Sequence, residues 1–324
     1  MMTSKQLQRS IRKHSNNASR DAARRKRELE RREKQIAKAE EAERAEFEVA
    51  LYEAKIEALL TVHQDVSVVV DWAEVASRVD DAPAYDPKFE AAAQLELDAH
   101  RGGGFFAKRK EARREKLEAA VAHGRRQDNE AHLEAMSEHE AEMAARQLAL
   151  RVLNFESESY VEALSTFNEM SELAAIGEGI KFKEIEPKRL VAELDAHSDD
   201  VIPKEFKSLL KSGKLSSKTM PVTKRWALYQ DHVCSASMRL ARDVFGILPV
   251  EMVKVNVYDE LLDSATGHLD RMCVLSVLYS RVTIETLNVH QIDPSDSLSN
   301  FVHEMQFQKT KGFKPVEPIQ GFPV

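Results

Sequence analysis

The residues best equipped for chemistry form a few small constellations. Glu205-x-Lys207, with Asp199 or Asp200 upstream, has the residue types of a metal-dependent nuclease. In that chemistry two carboxylates converge on a divalent cation and a lysine polarises the attacking water. It usually sets its Glu-x-Lys on a strand, whereas VIPKEFK reads here as a short helix, and Asp200 lies very close in sequence. A basic edge facing solvent or an anion, made by Lys204, Lys207, Lys211, Lys214 and Lys218, is the stronger reading. Asp263 and His268 bracket the turn sequence Asp263-Ser-Ala-Thr-Gly267 and have the types of an acid–base pair. The same Asp and Gly are also what a chain reversal needs. Glu205, Lys207, Asp263 and His268 are thus minor candidates, and no catalytic residue is assigned.

Two stretches suggest binding. Arg24, Arg25, Lys26, Arg27, Arg31 and Arg32 belong to a dense basic run that could grip phosphates, as could Lys211 and Lys214. No aromatic is interleaved to stack on bases, and pairs such as Arg24–Glu28 allow a solvated helix with i,i+4 contacts. Phe105-Phe106, beside Lys108, Arg109 and Lys110, suit docking on a partner or an anionic surface, or closing one end of a helical hairpin. His132 and His139 are seven apart and lack a third convergent ligand, so no metal site is expected. Asp293 and Asp296 read as a helix cap and a first-turn acid, with His303 further along the same helix. No phosphate-binding loop, dinucleotide fingerprint, nucleophile elbow or Cys-x-x-Cys occurs, and no cofactor is expected.

The elements that must position these residues divide the 324-residue chain into unlike parts. Charged residues reach 31%, concentrated in the first half, and aromatics only 6%. A net charge of -7 argues against wholesale coating of nucleic acid. Cys234 and Cys273 sit in apolar patterns and read as buried free thiols of a reduced cytoplasm. No apolar run approaches 18 residues, so no membrane span is expected.

Residues 1–18 read as a disordered basic tail. Residues 19–153 read as a helical arm: a helix over 19–62, a linker over 63–105 and a second helix over 106–153. In the linker, Val68–Val70 is extended, Asp71 caps a helix from Trp72, and another helix covers Lys88–Ala99. The stripe Phe47, Leu51, Ala54 and Ala58, joined by Leu59 and Val62, is the expected buried face of the first helix. The two long helices are expected to fold as a coiled-coil-like antiparallel hairpin, with a parallel homodimeric coiled coil as the alternative. The heptad Leu133, Met136, Met143, Leu150 is short and interrupted.

A bridging helix over 154–178 leads into an α+β domain over 179–324. Ile180–Ile185 and Arg189–Leu194 read as strands, 201–218 as a short helix before a Lys-rich turn, and Val222–Gly246 as a strong helix. Val250–Leu262 and Met272–Tyr279 are strands, and the last helix opens at Asp293 with the stripe Leu298, Phe301, Val302, Met305. About four strands, mostly antiparallel and packed by helices, are expected.

Within this domain GKLSSKTMP (213–221), YQDHVC (229–234), RLARDVFGILP (239–249), ATGHL (265–269) and IDPSDSLSNFVHEMQFQKTKGFKPVEP (292–318) resemble a family of bacterial proteins with no established activity. The resemblance implies a soluble bacterial protein and supplies no mechanism. The residues together point to a cytosolic interaction or scaffold protein whose arm binds a protein partner or a second copy. The alternative is a nucleic-acid-associated protein, with cryptic metal-dependent nuclease activity as its extreme form.

Overall fold

The computed structural model describes residues 4–65, 68–100, 107–166, 179–196, 201–263 and 265–323, without the side chains of 4–30 and 107. Phe105, Phe106, Asp199, Asp200 and residues 167–178 of the expected bridging helix lie outside them. A long helical arm precedes a mostly antiparallel sheet packed by helices.

Helix α1 spans Ser4–Thr61 and begins at Ser4 rather than at the expected Ser19. No Gly or Pro interrupts it, and it is about 85 Å long at 1.5 Å per residue. Its buried stripe is Ala45, Val49 and Leu59, with Tyr52 and Ile56 half-buried. Of the expected stripe, Leu59 and Val62 are buried, whereas Phe47, Leu51, Ala54 and Ala58 face the opposite way and are exposed. Both faces are apolar enough to bury, so the choice falls to what the helix meets.

What it meets is a hairpin. Residues 201–218, expected to be helical, instead form strands β3 (Glu205–Leu209) and β4 (Leu215–Thr219), paired antiparallel. Gly213, at φ +76°, makes the reversal between them. Tyr52 packs edge-on against Phe206 at 5.9 Å, while Lys207 reaches Glu48 at 2.9 Å and Lys214 reaches Glu41 at 3.2 Å.

Helix α2 (Trp72–Ala76) is capped by Asp71, whose carboxylate accepts the Glu74 N–H, as expected. Helices α3 (Lys88–Ala99) and α4 (Ala107–Leu153) form the antiparallel hairpin of the arm. Contrary to expectation, α4 packs against α3 and α2, while α1 packs on the β3–β4 hairpin and the domain's long helix. The reason lies in two residues of α4. Asp128, buried, accepts the Phe89 N–H at 2.9 Å and the Glu90 N–H at 2.7 Å, capping α3 from outside where Pro87 offers no side-chain acceptor. Gly124 lets α3 approach, since a Cβ there would lie 2.7 Å from the Phe89 carbonyl. Helix α5 (Ser157–Thr166) follows.

The sheet has six strands, not about four. Its order is β1 (Ile180–Glu186), β2 (Arg189–Asp195), β5 (Met252–Leu262), β6 (Leu269–Ser280), β7 (Val302–Gln308) and β8 (Gly312–Lys314). Every pairing is antiparallel except β2 with β5. That parallel crossover carries helix α6 (Val222–Ile247), which buries Val233, Cys234, Leu240, Ala241 and Val244 over the sheet. Val253, Val255 and Val257 sit beneath it, in register with Tyr279, Val277 and Leu275.

Helix α7 (Arg281–Thr286) is short. The helix expected from Asp293 is shorter than its stripe: α8 covers only Pro294–Ser297, a 3-10 turn follows, and Val302 onward is strand β7. Alternating Val-His-Glu-Met-Gln-Phe-Gln fits the edge of β6 with period two. Cys234 and Cys273 are buried free thiols.

Gly124→Ala is expected to destabilise by about 1–3 kcal/mol through overpacking, and Asp128→Ala by about the same, by orphaning two amides. Urea titration measures both. An unchanged midpoint for Gly124→Ala would contradict the close α3–α4 approach.

Candidate functional site

The chain segment leaving α1 is bound side by side to α6, and the buried Arg239, Asp243, His63 and His232 lie there. A helix C-terminus leaves carbonyls without partners. Here α6 supplies them. His232 donates from Nδ1 to the Leu59 carbonyl at 3.3 Å, Arg239 donates to the Val62 carbonyl at 3.4 Å, and Arg242 donates to the His63 carbonyl. Asp243, one turn on from Arg239, accepts its Nε–H at 2.8 and 2.9 Å, and the two side chains are 0% and 6% exposed. Further along, the Val70 N–H donates to Gly246 and the Trp72 indole to Ile247. A Cβ at Gly246 would collide with the Val68 carbonyl.

Ser235 and His63 make a contact that imitates a catalytic pair. Ser235 Oγ accepts the His63 backbone N–H and lies 2.9 Å from His63 Nδ1. Which of Oγ and Nδ1 donates is set by the His63 ring tautomer. Ser235 is fully buried and His63 is 1% exposed, so no substrate reaches them and the pair is a structural tie. Burial lowers the His63 pKa, with the Arg242 guanidinium adding to it, against opposing backbone contacts. Burial likewise raises the Asp231 carboxyl, with Asp293 nearby.

The sequence-nominated catalytic residues do not assemble. Glu205 and Lys207 lie on β3, a strand after all, but Glu205 accepts the Ser217 hydroxyl and Lys207 is paired with Glu48. Asp263 accepts the Ala265 N–H and the Thr266 hydroxyl, which hold its carboxyl below the usual carboxylate range. His268 is exposed, and its N–H meets Thr266. These are the bonds of a turn. Asp293 caps α8. His303, placed on β7 rather than a helix, bonds the Phe301 carbonyl. His139 meets Asp80 and His132 packs edge-on against Tyr85, so both tie the linker to α4. Among the described residues no three His, Cys, Asp or Glu side chains cluster as a metal would require.

The basic candidates divide. Lys214 is paired with Glu41, and Lys211 is exposed at the hairpin turn. Arg31 and Arg32 are exposed. For Arg24, Arg25, Lys26 and Arg27 only the helical backbone is described.

Elsewhere several polar groups are bonded within the chain. On the far face of the sheet Arg271 bonds Asp195 at 2.6 Å and Glu193 at 3.1 Å and lies over Tyr258. The C-terminal strap crosses that face. The Ile319 N–H donates to Ser276, Lys254 donates to the Ile319 carbonyl, and Phe322 lies beneath Lys254 and Arg189. A groove of about 610 Å³ between Val68–Val75 and α4 has apolar walls including Trp72, Ala145 and Leu148, with Asp71, Glu74, Arg78, Glu162 and Thr166 also along it.

The outward face of α1 has no such satisfaction. Ile36, Phe47 and Leu51 are 56%, 70% and 62% exposed, and Ala54 and Ala58 continue their line. The stripe was visible in the sequence; its exposure was not, because only the hairpin on the other face decides it. No described helix is long and apolar enough to cross a membrane. No family model, curated protein or solved structure matches the chain.

Arg239→Met alone strands the buried Asp243 and is expected to cost about 3–5 kcal/mol, while Arg239→Met with Asp243→Leu costs much less; paired urea titrations measure the difference. His63 adds a pH dependence. Its folded pKa is depressed, so on acidification the unfolded chain takes up the proton first. The stability concerned is intact above about pH 6.5 and is lost progressively as the pH falls toward the folded-state value. Urea midpoints at about pH 7.5 and 5.5 should diverge less in His63→Gln than in the parent.

Proposed function

We propose that the chain is an interaction or scaffold protein of the cytoplasm, with α1 as its binding element. One observation carries the reading: α1 has two apolar faces, and only one is used. Ala45, Val49 and Leu59 anchor it to the body, while Phe47 and Leu51 stand in solvent on the other side. Exposed large apolar side chains aligned along one helix mark an interaction surface more often than scattered ones do. The two buried thiols suit a reducing compartment. A scaffold also fits a body whose polar groups serve its own joints.

The rival reading, a nucleic-acid-associated protein, keeps the exposed Arg31 and Arg32 but loses Lys207 and Lys214 to the chain's own glutamates. Duplex binding that weakens steeply with salt and disappears in Arg31→Glu/Arg32→Glu would favour it over the scaffold.

Phe47→Ser/Leu51→Ser is expected to leave thermal stability within about 0.5 kcal/mol of the parent, because both side chains are mostly in water. It is expected to abolish association, whether with a second copy or with a purified partner, in sedimentation and pull-down assays. A double variant that associates as the parent does would remove the basis of the reading.

A further inference from the structure

We propose that the outward face of α1 pairs with the same face of a second copy, antiparallel, about a two-fold axis near residue 38. The inference rests on the interaction reading above and names its partner.

The charge along α1 changes sign near its middle. Segment 20–36 holds eight Arg or Lys against four Asp or Glu, and segment 40–56 holds two against six. Glu41 and Glu48 in the second segment are partly offset by Lys214 and Lys207 on the anchored side, and Glu40, Glu43, Glu46 and Glu53 remain exposed. An antiparallel pair centred at 38 sets each basic segment against an acidic one. A parallel pair would set like on like, which helix pairing penalises. The charge pattern therefore selects the antiparallel geometry over the parallel coiled coil.

Anchorage agrees with it. Residues 31–40 are all exposed, and contact with the body begins where Glu41 meets Lys214 and Ala45 becomes buried. Each α1 thus has a basic half projecting past the body and an acidic half held against it. In the pair, the projecting half of one copy lies along the outward face of the other copy's held half. The arrangement is isologous, each copy giving and receiving the same contact, so it closes at two. Position 47 then lies level with position 29, a leucine, and position 54 with position 22, an alanine, each couple falling near one face by the 3.6-residue period. Small residues and one large apolar pair per half permit the 8–10 Å spacing of packed helices.

Sedimentation equilibrium of the purified full-length chain should give a dimer at low salt, weakening about tenfold between about 0.05 and 0.5 M salt. Glu43→Lys/Glu46→Lys/Glu53→Lys, all on exposed positions, should weaken it further with an unchanged thermal midpoint. Cysteine cross-linking reads the geometry, since Cys234 and Cys273 are buried. A mixture of Leu29→Cys and Phe47→Cys chains should form a disulfide-linked heterodimer. Phe47→Cys alone should not cross-link, because its own counterpart lies about 27 Å away along the pair. Cross-linking of Phe47→Cys to itself would overturn the antiparallel geometry. A monomer at about 100 µM in low salt would overturn self-pairing altogether, while leaving the face free for a different protein and the broader reading intact.

Discussion

Two arginines on one turn of a buried helix hold this molecule in its shape. Arg239 and Arg242 bond the carbonyls of Val62 and His63, where α1 ends. A helix of 58 residues has little of its own to fix its direction once it leaves the body. Stripe contacts at Ala45, Val49 and Leu59 set its rotation, and the polar joint sets where it stops and how the chain turns. From there Val70 and Trp72 follow α6 to its end, and α2 and α4 are laid down against that strap. Burying two guanidinium groups is costly unless they are fully partnered. Asp243 and the backbone carbonyls provide the partners, so the cost is met only when the arm is in place.

Much of this fold is legible from local pattern. The Asp71 and Asp293 caps, the β5 and β6 strands and the span of α6 follow from period and turn chemistry, because each is decided within a few residues. The errors share a different cause. Residues 201–218 are apolar at positions that suit either a turn of helix or two short strands, and it is the flank of α1 that selects the hairpin. The run after Asp293 starts as a helix by its cap and leaves it at Ser297 because β6 offers an open edge. Gly124, a residue type that weakens a helix, is the place where α3 touches α4.

The joint was harder to read than any element. Arg239, Arg242 and Asp243 stand out in RLARD as charges inside an apolar helix, a signal that some buried partner must exist. Nothing in the sequence says the partner is a helix terminus 177 residues earlier. The catalytic candidates fail for the complementary reason. Glu205 and Lys207 have the right chemical types, yet their bonds to Ser217 and Glu48 appear only in the coordinates, whereas the turn role of Asp263 is legible in the sequence.

The same accounting directs attention to the arm. A polar side chain that is buried and bonded has its energy invested in the native state, and recruiting it for a ligand would loosen the fold. The α6 joint, and Lys254 and Ser276 on the sheet's far face, are of this kind. An exposed apolar side chain is the reverse: Phe47 and Leu51 contribute nothing to the folded chain, and covering them would be favourable by roughly 25 cal/mol per Å² removed from water. A stripe that costs solubility in the isolated chain, lies on the side of a helix away from its anchorage and is bordered by charge of one sign gains only from a partner of the opposite sign. The first half of α1 carries that sign. A straight helix cannot fold back on itself, so the proposed pairing of these two halves requires a second copy.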